Sequence, residues 1–202
     1  MSLRSLPQIA LCGALVALMP SAALAHAEVA VGAGLVNGLM HPILGPDHLV
    51  AMVAVGLWGA QLRAPLIWAL PVAFPLMMAV GGVLGVIGVD LPAVEIGIAV
   101  SALALGLLVA LAVKAPNAAA VAVVSVFAIF HGHAHGTELP HAATPIAYGL
   151  GFVLSTGLLH VSGIAIGLLD KIKPMGGSIV RGCGGIVALV GLYYLLRAVG
   201  AL

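Results

Sequence analysis

The strongest constraint on this chain is a series of apolar runs, each about 20 residues long, that carry almost no charge. Only 6% of the 202 residues are charged and 63% are hydrophobic, whereas soluble domains carry roughly 25% charged residues. Strands of membrane barrels alternate apolar and polar residues, but these runs are apolar throughout. The chain is therefore predicted to be an all-α integral membrane protein.

The N-terminus has the pattern of a secretory signal peptide. Arg4 supplies the positive start, residues 9–18 form an apolar core, and Ala23-Leu24-Ala25 fits an A-x-A cleavage site. An uncleaved first transmembrane helix is the alternative. Cleavage after Ala25 would make His26 the first residue of the mature chain. The predicted organisation is a signal peptide over residues 1–25 and one transmembrane domain over residues 26–202.

About six transmembrane helices are predicted after the signal peptide. The first, at 29–61, is too long for one straight crossing of about 20 residues. Pro42, Gly45 and Pro46 interrupt it, and proline removes backbone donors from a helix. It is therefore predicted to be a broken helix, or a re-entrant piece followed by a span. The other five spans are predicted at 65–88, 92–113, 116–135, 143–169 and 178–200.

The positions of the basic residues predict the orientation in the membrane. With the mature N-terminus outside, the predicted outer loops contain Asp90 and Glu138 but no Lys or Arg. Arg197, near the outer end of the last span, is the exception. An excess of Lys and Arg marks the cytoplasmic side, so we expect a bacterial inner-membrane protein with a periplasmic N-terminus. The predicted inner loops hold five of the seven basic residues: Arg63, Lys114, Lys171, Lys173 and Arg181.

The first polar motif, at 41–48, lies between two apolar runs and contains His41, Asp47 and His48. Such residues cost several kcal/mol within a bilayer unless they have partners. Two imidazoles and a carboxylate suit a divalent transition metal. A polar network that braces the broken helix is the alternative. Because irregular backbone is tolerated at membrane depth where it lines a cavity, the motif favours a metal site.

The second polar motif, at 130–138, lies at the predicted outer end of the fourth span. His131, His135 and Glu138 are related by four and seven residues, so they share one helix face and present metal-ligand chemistry. His133 points roughly the opposite way, and His141 follows in the next loop. A solvated, histidine-rich loop that binds metal loosely is the alternative reading of the distal part.

Three further residues are candidates of a less specific kind. Glu95 lies near the outer end of the third span, where it could act as a ligand, a proton carrier or a helix-packing hydrogen bonder. His26 would chelate a divalent ion together with a free N-terminal amine. His160, in the middle of a span, fits a buried neutral histidine as well as it fits a ligand.

Enzyme signatures and nucleic-acid partners are not expected. The chain contains neither H-E-x-x-H nor a P-loop sequence, and it has no nucleophile-elbow pattern. A net charge of +1 gives no basic footprint for nucleic acid. With two cysteines, a cysteine metal site is not expected either.

The two motifs resemble those of the HupE/UreJ family of nickel/cobalt permeases, secondary transporters linked to hydrogenase and urease maturation. The family's His-x5-Asp-His pattern is present as His41-x5-Asp47-His48. Its Phe-His-Gly-x-x-His-Gly-x-Glu pattern is present at 130–138. Both motifs match at every defined position, and the similarity extends over nearly the whole chain.

The resemblance implies import of nickel or cobalt into the cytoplasm, with the ion as transported substrate rather than cofactor. It also implies cytoplasmic metallochaperones as partners, and it matches Phe74 and Glu95 to functional positions. Residue chemistry alone leaves zinc open as well. The ion is expected to bind first at the second motif, on the outer face, and then at the first. A membrane sensor or chaperone that binds the ion without moving it is the alternative. The expected ligands are His26, His41, Asp47, His48, Glu95, His131, His135 and Glu138.

Overall fold

The structure, a computed structural model, describes residues 22–137, 144–171 and 176–202. This part of the chain holds seven α-helices, one short 3-10 helix and no strand, which confirms the predicted all-α class. Helices satisfy every backbone hydrogen bond internally, as apolar surroundings require. The α-helices are α1 (Ala22–Leu44), α2 (Pro46–Leu62), α3 (Leu66–Val86), α4 (Val94–Ala110), α5 (Asn117–Thr137), α6 (Pro145–Gly167) and α7 (Gly176–Ala198), and the 3-10 helix is Leu168–Lys171.

Four or five of the described helices can cross a membrane, whereas six spans were predicted. Helices α3, α5, α6 and α7 are long and apolar enough, and α1 with α2 can count as one broken span. Helix α4 has only 17 residues. At 1.5 Å per residue it is about 26 Å long, somewhat short of a hydrocarbon core of about 30 Å. Most of the predicted signal peptide lies outside the described residues.

The predicted break in the first span is present at Gly45. Helices α1 and α2 meet there at an angle of 79°. Pro46 is the first residue of α2, a position where the missing N–H of proline costs nothing. The break puts His41 in the last turn of α1. It puts Asp47 and His48 in the first turn of α2, so all three side chains lie at the bend.

Small residues allow neighbouring helices to pack with their backbones in contact. A Cβ atom on Gly81 of α3 would overlap the backbone carbonyl of Ile129 in α5. On Gly85 it would lie 2.5 Å from the carbonyl oxygen of His133. Helices α2 and α6 meet in the same way at Gly163. The Gly-x-x-x-Gly spacings in α3 and α6 therefore mark close helix contacts.

The glycines of the second motif also lie where two helices pack with their backbones in contact. A Cβ on Gly132 would overlap the carbonyl of Met78, and one on Gly136 would overlap that of Gly82. These four residues hold α5 directly against α3. The histidines between the two glycines are thus carried on a helix whose position is fixed by backbone contact.

Candidate functional site

The histidines of the two motifs form a single cluster at the bend. The ring centroid of His48 lies 4.6 Å from that of His131 and 4.4 Å from that of His135. The ring of His41 lies 4.7 Å from that of His135. Three helices therefore contribute to one continuous group of imidazoles. We call His41, His48, His131 and His135 the histidine cluster.

The cluster is buried at one end and borders open space at the other. His131 is fully buried, and His48 and His135 are each 8% exposed. His41 is only partly buried and lines a cavity of about 440 Å³. A second, apolar cavity of about 380 Å³ reaches His135 from between α3, α5 and α6. The imidazoles are thus mostly withdrawn from solvent but not sealed.

Several nitrogens of the cluster have no hydrogen-bond partner. Nε2 of His48, Nδ1 of His131 and both ring nitrogens of His135 are buried and unpaired. A buried polar atom without a partner costs about 1–3 kcal/mol. Most buried polar atoms in proteins are paired. This concentration of unpaired nitrogens therefore points to a ligand that accepts nitrogen lone pairs, such as a metal ion.

Asp47 orients one of these rings. Its Oδ1 lies 3.3 Å from Nδ1 of His48, and a carboxylate accepts, so the ring donates from Nδ1. That contact leaves the Nε2 lone pair of His48 available. A carboxylate that holds a ligating imidazole in this way is a common second partner in metal sites.

Ser101 fixes the protonation of His131. Its hydroxyl lies 2.6 Å from the carbonyl oxygen of Ile98 and 2.7 Å from Nε2 of His131. The single hydroxyl proton goes to the carbonyl, because two acceptor oxygens would otherwise repel at 2.6 Å. Nε2 of His131 must then donate to Oγ. The lone pair of the ring is therefore on Nδ1, the buried nitrogen without a partner.

The cluster is not arranged as a closed coordination site. Within the described residues, no three His, Cys, Asp or Glu side chains are grouped so that they could hold a metal ion. The rings of the cluster pack at interplanar angles between 57° and 87°, and in this packing their nitrogens do not converge. Binding an ion would require side-chain rotation.

Aromatic side chains border the cluster. Phe152 contacts His135 with a centroid distance of 4.4 Å. The ring of Phe74 lies 5.5 Å from both His131 and His160. His160 is 1% exposed, and it is linked to the cluster through Phe74. Phe74, which the resemblance matches to a functional position, therefore lies between the cluster and His160.

His133 has a structural contact instead. Its Nε2 lies 2.7 Å from the carbonyl oxygen of Val89 and can only donate to it. The bond connects α5 to the segment that follows α3. This agrees with the prediction that His133 points away from the metal-ligand face of α5.

Glu95 and Asp47 border a third cavity, of about 320 Å³, which Tyr194 and Arg197 also line. Glu95 is exposed. It is connected to the other predicted ligands through the cavity that it shares with Asp47, and not by contact with the imidazoles. Sequence reasoning missed Tyr194, Arg197 and Ser101. A lone serine in an apolar span was the one available signal for Ser101.

Two predicted ligands are not tested by these contacts. Glu138 lies outside the described residues, as does the nearby His141, and so does the side chain of His26 in α1. The expectation of two successive sites is not met by the histidines, because those of both motifs contact each other. The bend at Gly45 is the reason, since it turns the first motif onto α5.

Comparisons with a known protein family and with a known protein each match most of the chain. The HupE / UreJ protein family model matches residues 14–194. The Protein HupE of Rhizobium leguminosarum bv. viciae is 46% identical over 174 residues, which span 86% of this chain and 91% of that protein. No solved structure matches the chain.

Proposed function

Because this chain belongs to the HupE/UreJ family, we propose that it imports nickel, and cobalt as a second substrate, across the bacterial inner membrane. The family is of a membrane-transporter type rather than an enzyme type. The observation that carries the proposal is the group of unpaired, buried imidazole nitrogens in the histidine cluster. The imported ion supplies metalloenzyme maturation, and cytoplasmic metallochaperones are the expected acceptors.

The donor set fits nickel. Imidazole nitrogen is a good ligand for Ni²⁺, which stands high in the Irving–Williams order. The lone pairs of His48 Nε2 and His131 Nδ1 belong to rings whose other nitrogen contacts Asp47 or Ser101. Partners of this kind fix the tautomer and raise the basicity of a ligand. Cobalt has similar requirements, so it remains the second substrate.

The outer route begins at the cavity between Asp47 and Glu95. Its two carboxylates outnumber the one cation that lines it, Arg197, so the cavity is net negative and attracts a divalent cation. Asp47 is also the neighbour of His48 in the cluster. An inside-negative potential favours entry by about 2.3 kcal/mol per charge per 100 mV, which is about 4.6 kcal/mol for a divalent ion. Import can therefore proceed without ATP.

Uptake into proteoliposomes tests the proposal. Purified protein is reconstituted with an inside-negative potential, and entry of radioactive nickel is followed with cobalt or zinc as competitor. We expect saturable uptake in the wild type and none in His48→Ala or His131→Ala. Nickel binding without uptake, in intact and correctly oriented protein, would contradict import and favour a membrane sensor or chaperone.

Replacing Ser101 with alanine should weaken nickel binding without removing a ligand. The change frees Nε2 of His131 from its acceptor, so the ring loses its fixed tautomer. Loss of such a partner costs about 10–100-fold in metal affinity. The nickel KM for uptake and the Kd from calorimetry should both rise. Ser155→Ala is the matched control, since this serine is 2% exposed and its Oγ has no hydrogen-bond partner. Equal KM values in the two variants would contradict the positioning role.

A further inference from the structure

Three basic side chains meet at a cavity at the opposite end of the bundle. Arg63, Lys114 and Arg181 line a space of about 230 Å³ together with Gln61. They come from the turn after α2, the loop before α5 and the start of α7. Residues this far apart in the chain come together only through the fold. We call this space the basic cavity.

The basic cavity lies at the far end of the helices that carry the histidine cluster. Arg63 follows the last residue of α2, whose first turn holds His48. Lys114 precedes α5, whose last turn holds His135. The predicted topology places this end in the cytoplasm, at the level of the lipid headgroups.

The described side chains around the basic cavity do not neutralise its cations. Among the described residues, no carboxylate lines the cavity, and none of the three cations forms an ion pair. Arg181 donates from Nε to the carbonyl of Ala110, at 2.7 Å. This bond fixes the guanidinium and leaves its two terminal nitrogens to donate elsewhere. Three like charges around one cavity repel each other, and an anion between them removes that cost.

Gln61 adds a different polar group to the same cavity. Its Nε2 donates to the carbonyl of Val109 at 3.1 Å. That bond leaves Oε1, which is buried and has no partner. An acceptor oxygen does not contact a bare anion favourably. It does suit a hydroxyl or ammonium group attached to a phosphate, as in a phospholipid headgroup.

From these groups we infer that the basic cavity binds the phosphate of an anionic phospholipid of the cytoplasmic leaflet. Basic pockets between transmembrane helices on the cytoplasmic side suit such headgroups. Arg63, Lys114 and Arg181 take the phosphate oxygens, and Gln61 accepts from the headgroup. The cavity of about 230 Å³ has room for a phosphate group, because it is several times larger than the roughly 30 Å³ that one water molecule occupies. Free inorganic phosphate has the same anionic group but lacks the headgroup hydroxyl or ammonium group that would donate to Gln61.

The positive-inside bias alone does not explain the grouping. That bias requires basic residues on the cytoplasmic side but not around one cavity. Lys171 shows the difference, because it is exposed in the 3-10 helix and does not line the basic cavity. It is therefore the matched control for a test of the site.

Native mass spectrometry of the purified full chain tests the inference. Phosphatidylglycerol is titrated against phosphatidylcholine, with inorganic phosphate as competitor. Each near-surface charge is worth about fivefold in affinity for an anionic lipid, so Lys114→Gln and Arg63→Gln should each weaken phosphatidylglycerol binding by about that factor. Lys171→Gln should bind as the wild type does. Displacement of the lipid by millimolar inorganic phosphate would assign the same site to free phosphate.

Two outcomes would overturn the site. One is unchanged lipid affinity in Lys114→Gln and Arg63→Gln. The other is an equal loss in Lys171→Gln, which would mean that only the general charge of this face matters. Lys114 makes no side-chain bond in the described part of the chain, so Lys114→Gln retains the fold contacts and carries the test if Arg63→Gln does not fold. Arg63→Lys, which keeps the charge, should restore most of the affinity.

Discussion

Nickel uptake should fall by about a hundredfold or more when His135 is replaced with alanine. This ring contacts both His41 and His48, and neither of its nitrogens has another partner. Its removal therefore interrupts the cluster at its centre and deletes a donor. Loss of a residue that only orients a ligating imidazole costs about 10–100-fold in metal affinity or activity. Loss of the ligand itself should cost at least as much. The measurement is the initial rate of radioactive nickel uptake in proteoliposomes across a range of nickel concentrations.

His133→Gln is the control for this prediction. His133 is on the same helix, is also buried, and donates to the carbonyl of Val89. Glutamine retains a donor for that bond, so uptake should stay near the wild-type rate. If His135→Ala transports as fast as His133→Gln, the histidine cluster is not on the path, and the cavity between Asp47 and Glu95 becomes the principal candidate.

A single methyl group at Gly132 is expected to destabilise the protein and stop transport. The new Cβ would overlap the backbone carbonyl of Met78, which cannot rotate away as a side chain could. Overpacking of this kind typically costs about 1–3 kcal/mol and sometimes more. For a chain of this size, 3 kcal/mol corresponds to about 6–12 °C in Tm. Thermal unfolding in detergent and nickel uptake both report the effect, since α5 carries His131 and His135.

Gly185→Ala shows what the same chemical change does in open space. A Cβ at Gly185 of α7 would have no heavy atom within 4 Å. Alanine also favours the helical state over glycine, so Tm should be unchanged or slightly higher. Equal melting temperatures for Gly132→Ala and Gly185→Ala would mean that α3 and α5 are not in backbone contact.

The fold class followed from the sequence because apolar length and proline position act locally. Pro42 and Pro46 predicted the broken span, and the structure places the bend between them. The four-residue spacing of His131 and His135 predicted a shared helix face, and both rings contact His48. These features depend on one helix at a time, which is why periodicity and proline chemistry reach them.

The assembly of the site depended on contacts between helices, which no local pattern encodes. The 79° bend brings His41 and His48 onto α5, so the two expected sites are one cluster. The contact of Ser101 with His131 joins residues 30 positions apart. A serine in an apolar span carries no spacing that would announce such a partner. The role of Glu138 as a metal ligand and the presence of a signal peptide remain predictions.

The single residue between α1 and α2 acts as an elbow. His41 lies on one arm and His48 on the other, with Gly45 at the joint. Any change in the 79° angle alters the distance between these two imidazoles. An ion bound by nitrogens from both rings would hold α1 and α2 at one angle. Once the ion left, the two helices could adopt another angle. A ligand shifts a conformational equilibrium only through such a difference in affinity between two states. A bound ion of this kind would thus couple occupancy of the histidine cluster to the angle between α1 and α2.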